Sequence, residues 1–552
     1  MATAIVGTNE ARTLTLKHEA GITGSATITI TINDGGTSNL QSTYTFRVTV
    51  TPNPYTLAVF TLAGRTTSTG PTGYTNGTGS AATFTMPVGA TADNRGLVYV
   101  QDGNLIRSIS TTGVVTTLAG ATTNTTRVDG VGAAAGVAGI NTSNYAGMKV
   151  SPDNKWLYFV NGGWMRKIGI DPTDSANYKS VTSVVAMPTT TFPAAYSPFT
   201  VGGGLVFSSD GNSIFMVPST AAGAVKIQRL NLLNNTFSDF ALDGVSTNTI
   251  MPVWMIQGPN NTAFLRTHPS TSFGTPVYAG KILSLNLATG VTTALAQNPL
   301  NADTAGGGAS FNPLTNEILV DTNNTNPKIL DASTGALKYT LPSSATMYTD
   351  GVGGSFETQD AITVFNGDYY LSQAGPSVPT GSNIRAVKPA PGLYNPGTQI
   401  FIEGQSNAFS SVDLQKMAVV ANGSTTMTYT LTSLYGTLNV STVTGLTGVT
   451  GRGTKALSFT GTEADINSAL ATLAYTPDTG FINASTTGVQ ITGAPLETLS
   501  MSVTGSDANG SRGTNSASLS VLVKALNNNP RILTTLPAKT YYVETGVATE
   551  TA

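Results

Sequence analysis

Two histidines, His18 and His268, are the only imidazoles in 552 residues, and the chain has no cysteine. A Ser-His-Asp triad needs an imidazole beside its nucleophile, and no Gly-x-Ser-x-Gly turn marks a serine for that role. Without cysteine there is no thiol nucleophile, no disulfide framework and no thiolate metal site. No phosphate-cradling glycine loop sits between a strand and a helix. Carboxylates are the remaining reactive type. Asp34, Asp478 and Asp507 lie in turns with Gly or Asn neighbours, and Asp171 and Asp174 share one loop. Calcium takes six to eight oxygens, usually from clustered carboxylates, and no Asp-x-Asp-x-Asp run supplies them. Turn formation is the first reading of these residues and calcium binding the second. Arg107, Arg166 and Arg385 follow equivalent strand patterns, and packing or hydrogen bonding between repeats explains them better than ligand contact. Trp164, Trp254 and the pair Tyr369-Tyr370 read first as core aromatics of strands, with a sugar-stacking platform as the alternative. Asn76 and Asn422 head Asn-x-Ser/Thr sequons that arise by chance in a chain rich in Thr and Asn. The chain is therefore read as non-enzymatic, with no cofactor except calcium left open.

Composition sets the frame for these residues. Only 10% of the chain is charged, with a net charge of −2, so no basic surface invites nucleic acid. No apolar run reaches the length of a bilayer span. The N-terminus carries no basic region followed by an apolar core, so a signal peptide is either already removed or belongs to a longer parent. Sixty glycines and 27 prolines punctuate the chain at short intervals, and abundant threonine suits exposed strand faces. The length implies two to four domains, and the expected fold class is all-β.

The strand pattern is clearest near the start. In residues 25–32, Ile28, Ile30 and Ile32 alternate with threonines, and Asn33-Asp34-Gly35-Gly36 breaks the strand. Tyr44, Phe46, Val48 and Val50 then form the apolar side of a second strand, giving a sheet with one wet face. Thr51-Pro52-Asn53-Pro54 reads as a linker. Thr61-Leu62-Ala63-Gly64 recurs as Thr117-Leu118-Ala119-Gly120, and the segment between holds turn-separated short strands, the unit of a propeller blade. Five weaker repeats follow, through Met165-Arg166-Lys167-Ile168, Ser213-Ile214-Phe215-Met216-Val217, Lys281-Ile282-Leu283-Ser284-Leu285, Asn316-Glu317-Ile318-Leu319-Val320 and Ile384-Arg385-Ala386-Val387. Six blades are expected, with Thr56–Phe60 closing the ring as the outer strand of the last. A second sandwich is expected from about Pro396 to Asn528. It holds one short helix, with Thr462 as N-cap, Asp465 three residues on, and Ile466, Leu470 and Leu473 along one face.

The repeat units at 61–120 resemble NHL-type propeller repeats. Gly24–Ile30 with Phe46–Pro52, and Tyr435–Pro477, resemble the Ig-like and cadherin-like repeats of large bacterial surface proteins of the adhesin type. These resemblances imply a partial Ig-like sandwich (1–54), a six-bladed propeller (55–395), a cadherin-like sandwich (396–528) and the opening strand of a further repeat (529–552). They imply an extracellular or cell-surface, bacterial-type structural and adhesive segment, with itself, other surface proteins or glycans as partners. An alternative is a head-to-tail filament, in which residues 530–552 of one chain complete residues 1–52 of the next by strand addition. Its assembly residues are Ile28, Ile30, Ile32, Tyr44, Phe46, Val48, Ile532, Leu533, Tyr541 and Val543. A third reading is a propeller lyase or lactonase. Enzymes of that sort use several histidines at a central metal, and this stretch holds only His268.

Overall fold

The computed structural model describes residues 2–6, 13–17, 24–33, 41–50, 56–67, 69–137, 147–188, 204–217, 226–243, 252–267, 280–300, 308–321, 326–341, 350–352, 362–373, 382–409 and 417–526. His18, His268, Asp34, Ile532, Leu533, Tyr541 and Val543 lie outside them. The fold is all-β, as the composition predicts, with a single short α-helix among the described residues.

Among the described residues six antiparallel sheets follow one another along the chain, each built on a meander of four strands, to which Gly77–Thr78, Gly130–Val131 and Gly351–Val352 add a short fifth strand in the first, second and sixth. Sheet I comprises Pro87–Ala92, Val98–Asp102, Leu105–Ile109 and Val114–Gly120. Sheet II comprises Met148–Val150, Trp156–Asn161, Trp164–Gly169 and Ser180–Ala186. Sheets III, IV and V start at Val206, Pro252 and Ala309 and repeat the pattern. Sheet VI draws three strands from late in the chain, Ile362–Phe365, Asp368–Gln373 and Asn383–Ala390, and its fourth from far upstream. That fourth strand, Thr56–Gly64, pairs antiparallel with Asn383–Ala390, from Thr56 opposite Ala390 to Gly64 opposite Asn383.

Apolar residues on both faces of each sheet explain how the sheets stack. Successive sheets enclose separate clusters: Ile106 with Leu157 between I and II, Met165 with Ile214 between II and III, Phe215 with Leu265 between III and IV. Trp254 meets Ile318 between IV and V, Leu319 meets Leu371 between V and VI, and Tyr370 meets Val100 between VI and I. The last cluster joins the end of the series to its beginning, so the sheets form a ring with no free end. Blades of a propeller stack in this way, and closure by an upstream strand hides an edge that would otherwise template aggregation.

A sandwich follows. Its larger sheet includes Gln399–Ile402, Thr426–Thr432, Ala456–Gly461, Glu497–Asp507 and Gly510–Lys524; a three-stranded sheet includes Gly436–Asn439 and Ala474–Pro477. One cluster holds it together, with Tyr429, Phe459, Leu438, Tyr475 and Val521 fully or almost fully buried. The helix is Glu463–Leu470, and its expected capping box is present: the Thr462 side chain accepts from the Asp465 backbone, and Asp465 reaches back to the Thr462 backbone. Ile466, Leu470 and Leu473 are buried. Upstream, Ala2–Val6 pairs with Thr13–Lys17 and Gly24–Asn33 with Gln41–Val50. Each pair forms a sheet of only two strands among the described residues.

Candidate functional site

The recurring arginines are the first polar groups to follow through the structure. Arg107, on the third strand of sheet I, is fully buried. Its guanidinium donates to Asp102 Oδ2 (3.0 Å), to the carbonyl oxygens of Thr75 (3.0 Å) and Thr83 (3.4 Å), and to Asn76 Oδ1 (3.0 Å). Arg166 repeats the device in sheet II. It donates to the carbonyls of Gly136 (2.7 Å) and Val128 (2.9 Å), to Asn161 Oδ1 (3.2 Å) and to Asp129 Oδ1 (3.0 Å). Arg385 in sheet VI reaches Asp350 Oδ1 (2.6 Å) and the Thr61 hydroxyl. In every case the acid or amide immediately precedes a glycine in the incoming loop. It also receives a hydroxyl from the fourth strand: Thr117 to Asn76, Ser183 to Asp129, Thr61 to Asp350. The guanidiniums therefore pin the loop that enters each sheet, and their donors are directed inward. Sequence reasoning found the arginines but missed Asn76, Asp129 and Asp350 as partners; the shared residue-before-glycine position was the available signal. In sheet IV the buried cation is Arg266, on the second strand, and it donates to the Leu300 carbonyl (2.9 Å).

Burial dominates the electrostatics here. It pushes the Asp102 carboxyl up to about 6, against the opposing pull of the Met86 and Thr85 backbone N–H groups and of Arg107. It also lowers Arg107, against the pull of Asp102.

A second network joins the sandwich to the ring. Arg512, on the last sandwich strand, forks onto Asp368 of sheet VI, with Nη2 2.7 Å from Oδ1 and Nη1 3.2 Å from Oδ2. Nη1 also donates to Asp507 Oδ2 (2.6 Å), and Nε to the Pro389 carbonyl (3.3 Å). Lys388 brings a second ammonium to 3.9 Å from Asp368. Burial raises the Asp368 carboxyl, with the Arg512 charge opposing it. At the rim Thr111 of sheet I donates to Asn509 Oδ1 (2.8 Å). Gly513 has φ +97°, and a Cβ there would lie 2.6 Å from the Ala58 Cβ. Only glycine combines that conformation with that closeness.

The residues singled out from the sequence are therefore dispersed. Asp507 brackets Arg512, and Asp478 accepts from Lys455 Nζ at 2.7 Å. Among the described residues no three His, Asp or Glu side chains converge to hold a metal ion. The core reading holds for three of the aromatics: Trp254, Tyr369 and Tyr370 are fully buried between sheets and offer no sugar platform, because strands covered on both faces take aromatics inward on either side. Trp164 is half-buried, and the Arg127 guanidinium stacks 4.3 Å from its ring centre. The assembly residues Ile28 and Ile30 are half-buried, with Cα partners Phe46 and Tyr44, and Ala26 faces Val48. Ile32 sits opposite Ser42 in the same ribbon.

The ring has two unlike faces. An antiparallel meander places its first-to-second and third-to-fourth turns on one face and all other connections on the opposite face. The first-to-second turns are short in every sheet: 93–97, 151–155, 208–212, 258–261, 313–316 and 366–367. On the opposite face lie the strand ends that are joined in sequence by the sheet-to-sheet connections 65–86, 121–147, 187–205, 241–251, 295–308 and 341–361, and by 217–226, 268–281, 321–327 and 374–382. The sandwich docks on the short-turn face, since Asp368, Thr111 and the start of the Thr56–Gly64 strand all lie there.

No family model matches the chain, and no curated protein matches it. Two solved structures from Bacteroides thetaiotaomicron are similar. One is a structural genomics protein of unknown function, 14% identical, with 70% of this chain and 86% of that one covered, at a TM-score of 0.39. The other is the extracellular domain of a hybrid two component system, 10% identical, with 62% and 46% covered, at a TM-score of 0.33. No helix among the described residues is long and apolar enough to cross a membrane.

Proposed function

We propose that the chain is a non-catalytic, structural and adhesive segment of a bacterial extracellular surface protein, in which the ring acts as a recognition head on sandwich supports. One observation carries this reading: the sandwich is bonded to the short-turn face, and the strand ends that the long connections join lie on the opposite one. Binding residues concentrate on loops held by a rigid scaffold, and long connections are where such loops arise. Surface proteins or glycans of another cell are the partners this face suits. The test shortens connections 268–281 and 374–382 to the two-residue Gly-Asn turn of sheet I, Gly103-Asn104. Beads coated with the intact chain should adhere to bacterial surfaces, and the shortened chain, still folded, should lose most of that adhesion. Equal adhesion by both chains would overturn the reading.

A second reading rests on a different observation. The ribbon formed by Gly24–Asn33 and Gln41–Val50 has no third strand among the described residues, and a lone two-stranded ribbon is marginal in water. Chains joined head to tail, with residues 530–552 of one adding to the ribbon of the next, would relieve this and build a filament.

A further inference from the structure

The ring closes around an axis lined by the first strand of every sheet. These strands are Pro87–Ala92, Met148–Val150, Val206–Phe207, Pro252–Gln257, Ala309–Asn312 and Ile362–Phe365. Each pairs with the second strand of its sheet along one edge and, among the described residues, with no strand along the other. Neighbouring first strands lie side by side, VI with I, I with II, III with IV, IV with V and V with VI. Strands placed in this way surround the central channel of a propeller. Some of their open backbone groups are tied across to the next sheet: the Val150 N–H donates to the Thr91 hydroxyl, and the Gln257 amide bonds the N–H and C=O of Phe207.

Lys149 is the one charged residue in all six strands. It pairs with Tyr158, so both side chains leave sheet II on the side of sheet III, where Tyr158 meets Phe207 edge to face with ring centres 5.5 Å apart. Protein encloses the Lys149 side chain on every side, yet water reaches part of it. On an innermost strand, the space that admits this water is the central channel. Burial holds the ammonium down, to about 8, and among the described residues no charge or hydrogen bond opposes it. Tyr158, the titratable group across the strand pair, is pushed up to about 12 by burial and stays neutral. The acids of the adjoining turns are engaged locally, Asp93 with Arg95, Asp153 with Ser151 and Asp210 with Ser208. Lys149 is therefore a cation taken out of bulk water without a counter-charge, which is costly.

We propose that Lys149 holds one small carboxylate anion in the central channel of the ring. A monoanion matches the single positive charge, whereas a dianion would leave a negative charge over. The carboxylate accepts charge-assisted hydrogen bonds from the ammonium. The first strands around it are otherwise neutral and largely apolar, which suits a carboxylate on a short hydrocarbon body better than a strongly hydrated ion. The site lies on the axis of the ring and does not depend on which face meets a partner.

Equilibrium dialysis of the full chain against radiolabelled acetate tests it, with calorimetry of the ring transition alongside. At neutral pH the intact chain should bind one acetate saturably, and Lys149→Met should bind at least about tenfold more weakly. Binding should weaken as pH rises above about 8, where the amine gives up its proton. Acetate should raise the unfolding temperature of the intact ring by mass action, and do so more than for Lys149→Met at the same salt. In acetate-free buffer Lys149→Met should unfold no earlier than the intact chain, because it removes an uncompensated charge and keeps the length of the stem. Equal binding by both chains, or no saturable binding by the intact chain, would overturn the site. A Lys149→Met chain that fails to fold would show that a protein group partners the ammonium, and would overturn it as well.

Discussion

Replacing Arg107 by Ala should destabilise the ring by about 3–5 kcal/mol, the usual cost of removing one partner of a buried ion pair. Arg107 is fully buried, and its loss strands the Asp102 carboxylate, two backbone carbonyls and the Asn76 amide oxygen. It also removes the guanidinium stacked over Phe84. The pH dependence has a definite sign. With its folded value already at about 6, Asp102 holds its proton more tightly in the folded ring than in the unfolded chain. Its contribution is therefore fully present below the ordinary carboxylate range and lost as pH rises through about 6. Without Arg107 the folded value climbs further, so the penalty should be smallest near pH 5 and grow toward pH 8. Arg107→Lys should rescue little, because a single ammonium cannot span the four acceptors of the fork. A joint change of Asp102 and Arg107 to apolar residues should recover much of the loss. Urea unfolding of the ring transition at several pH values checks each statement, and a penalty that shrinks as pH rises would contradict it.

Arg512→Ala should release the sandwich from the ring. The change leaves Asp368 and Asp507 without their shared guanidinium, although Lys388 remains at 3.9 Å from Asp368. The expected cost is about 3 kcal/mol at the junction, near the lower end for a buried pair because one cation persists. Small-angle scattering should show the radius of gyration rise, while the unfolding of ring and sandwich separately stays near the intact values. Gly513→Val should have the same consequence by another route, since its Cβ would collide with Ala58. Both variants remaining as compact as the intact chain would show that the junction is held by something other than this network.

What the residues announce in sequence is mostly local. Thr462 and Asp465 sit three apart and cap the helix they predict. The Thr-Leu-Ala-Gly repeats end the fourth strands of sheets VI and I, so the duplication already marked the unit that closes the ring. Long-range pairing is where sequence reading stops. Arg512 and Asp368 are 144 residues apart, and neither has a local pattern that points to the other. Gly513 looks like any turn glycine until Ala58 is placed against it. The aromatics were legible only as core and not as to which sheets they join: Trp254 and Tyr370 lie on strands covered on both sides by neighbouring sheets, so alternation no longer separates inside from outside. The two-faced character of the ring emerges only when strand directions are known, because connection length in the sequence does not say on which side a loop emerges.

The most direct test of the central claim is a footprint of the chain while it is bound to a bacterial surface, by solvent-accessible labelling compared with the free chain. The account predicts protection on the face that holds the strand ends of the long connections, at residues such as Asn104, Gly163 and Asn298, with Thr112, Leu233 and Leu314 on the short-turn face as reactive as before. Protection concentrated at Thr112, Leu233 and Leu314 instead would contradict it, because the ring would then be engaged through the face that its own sandwich shares.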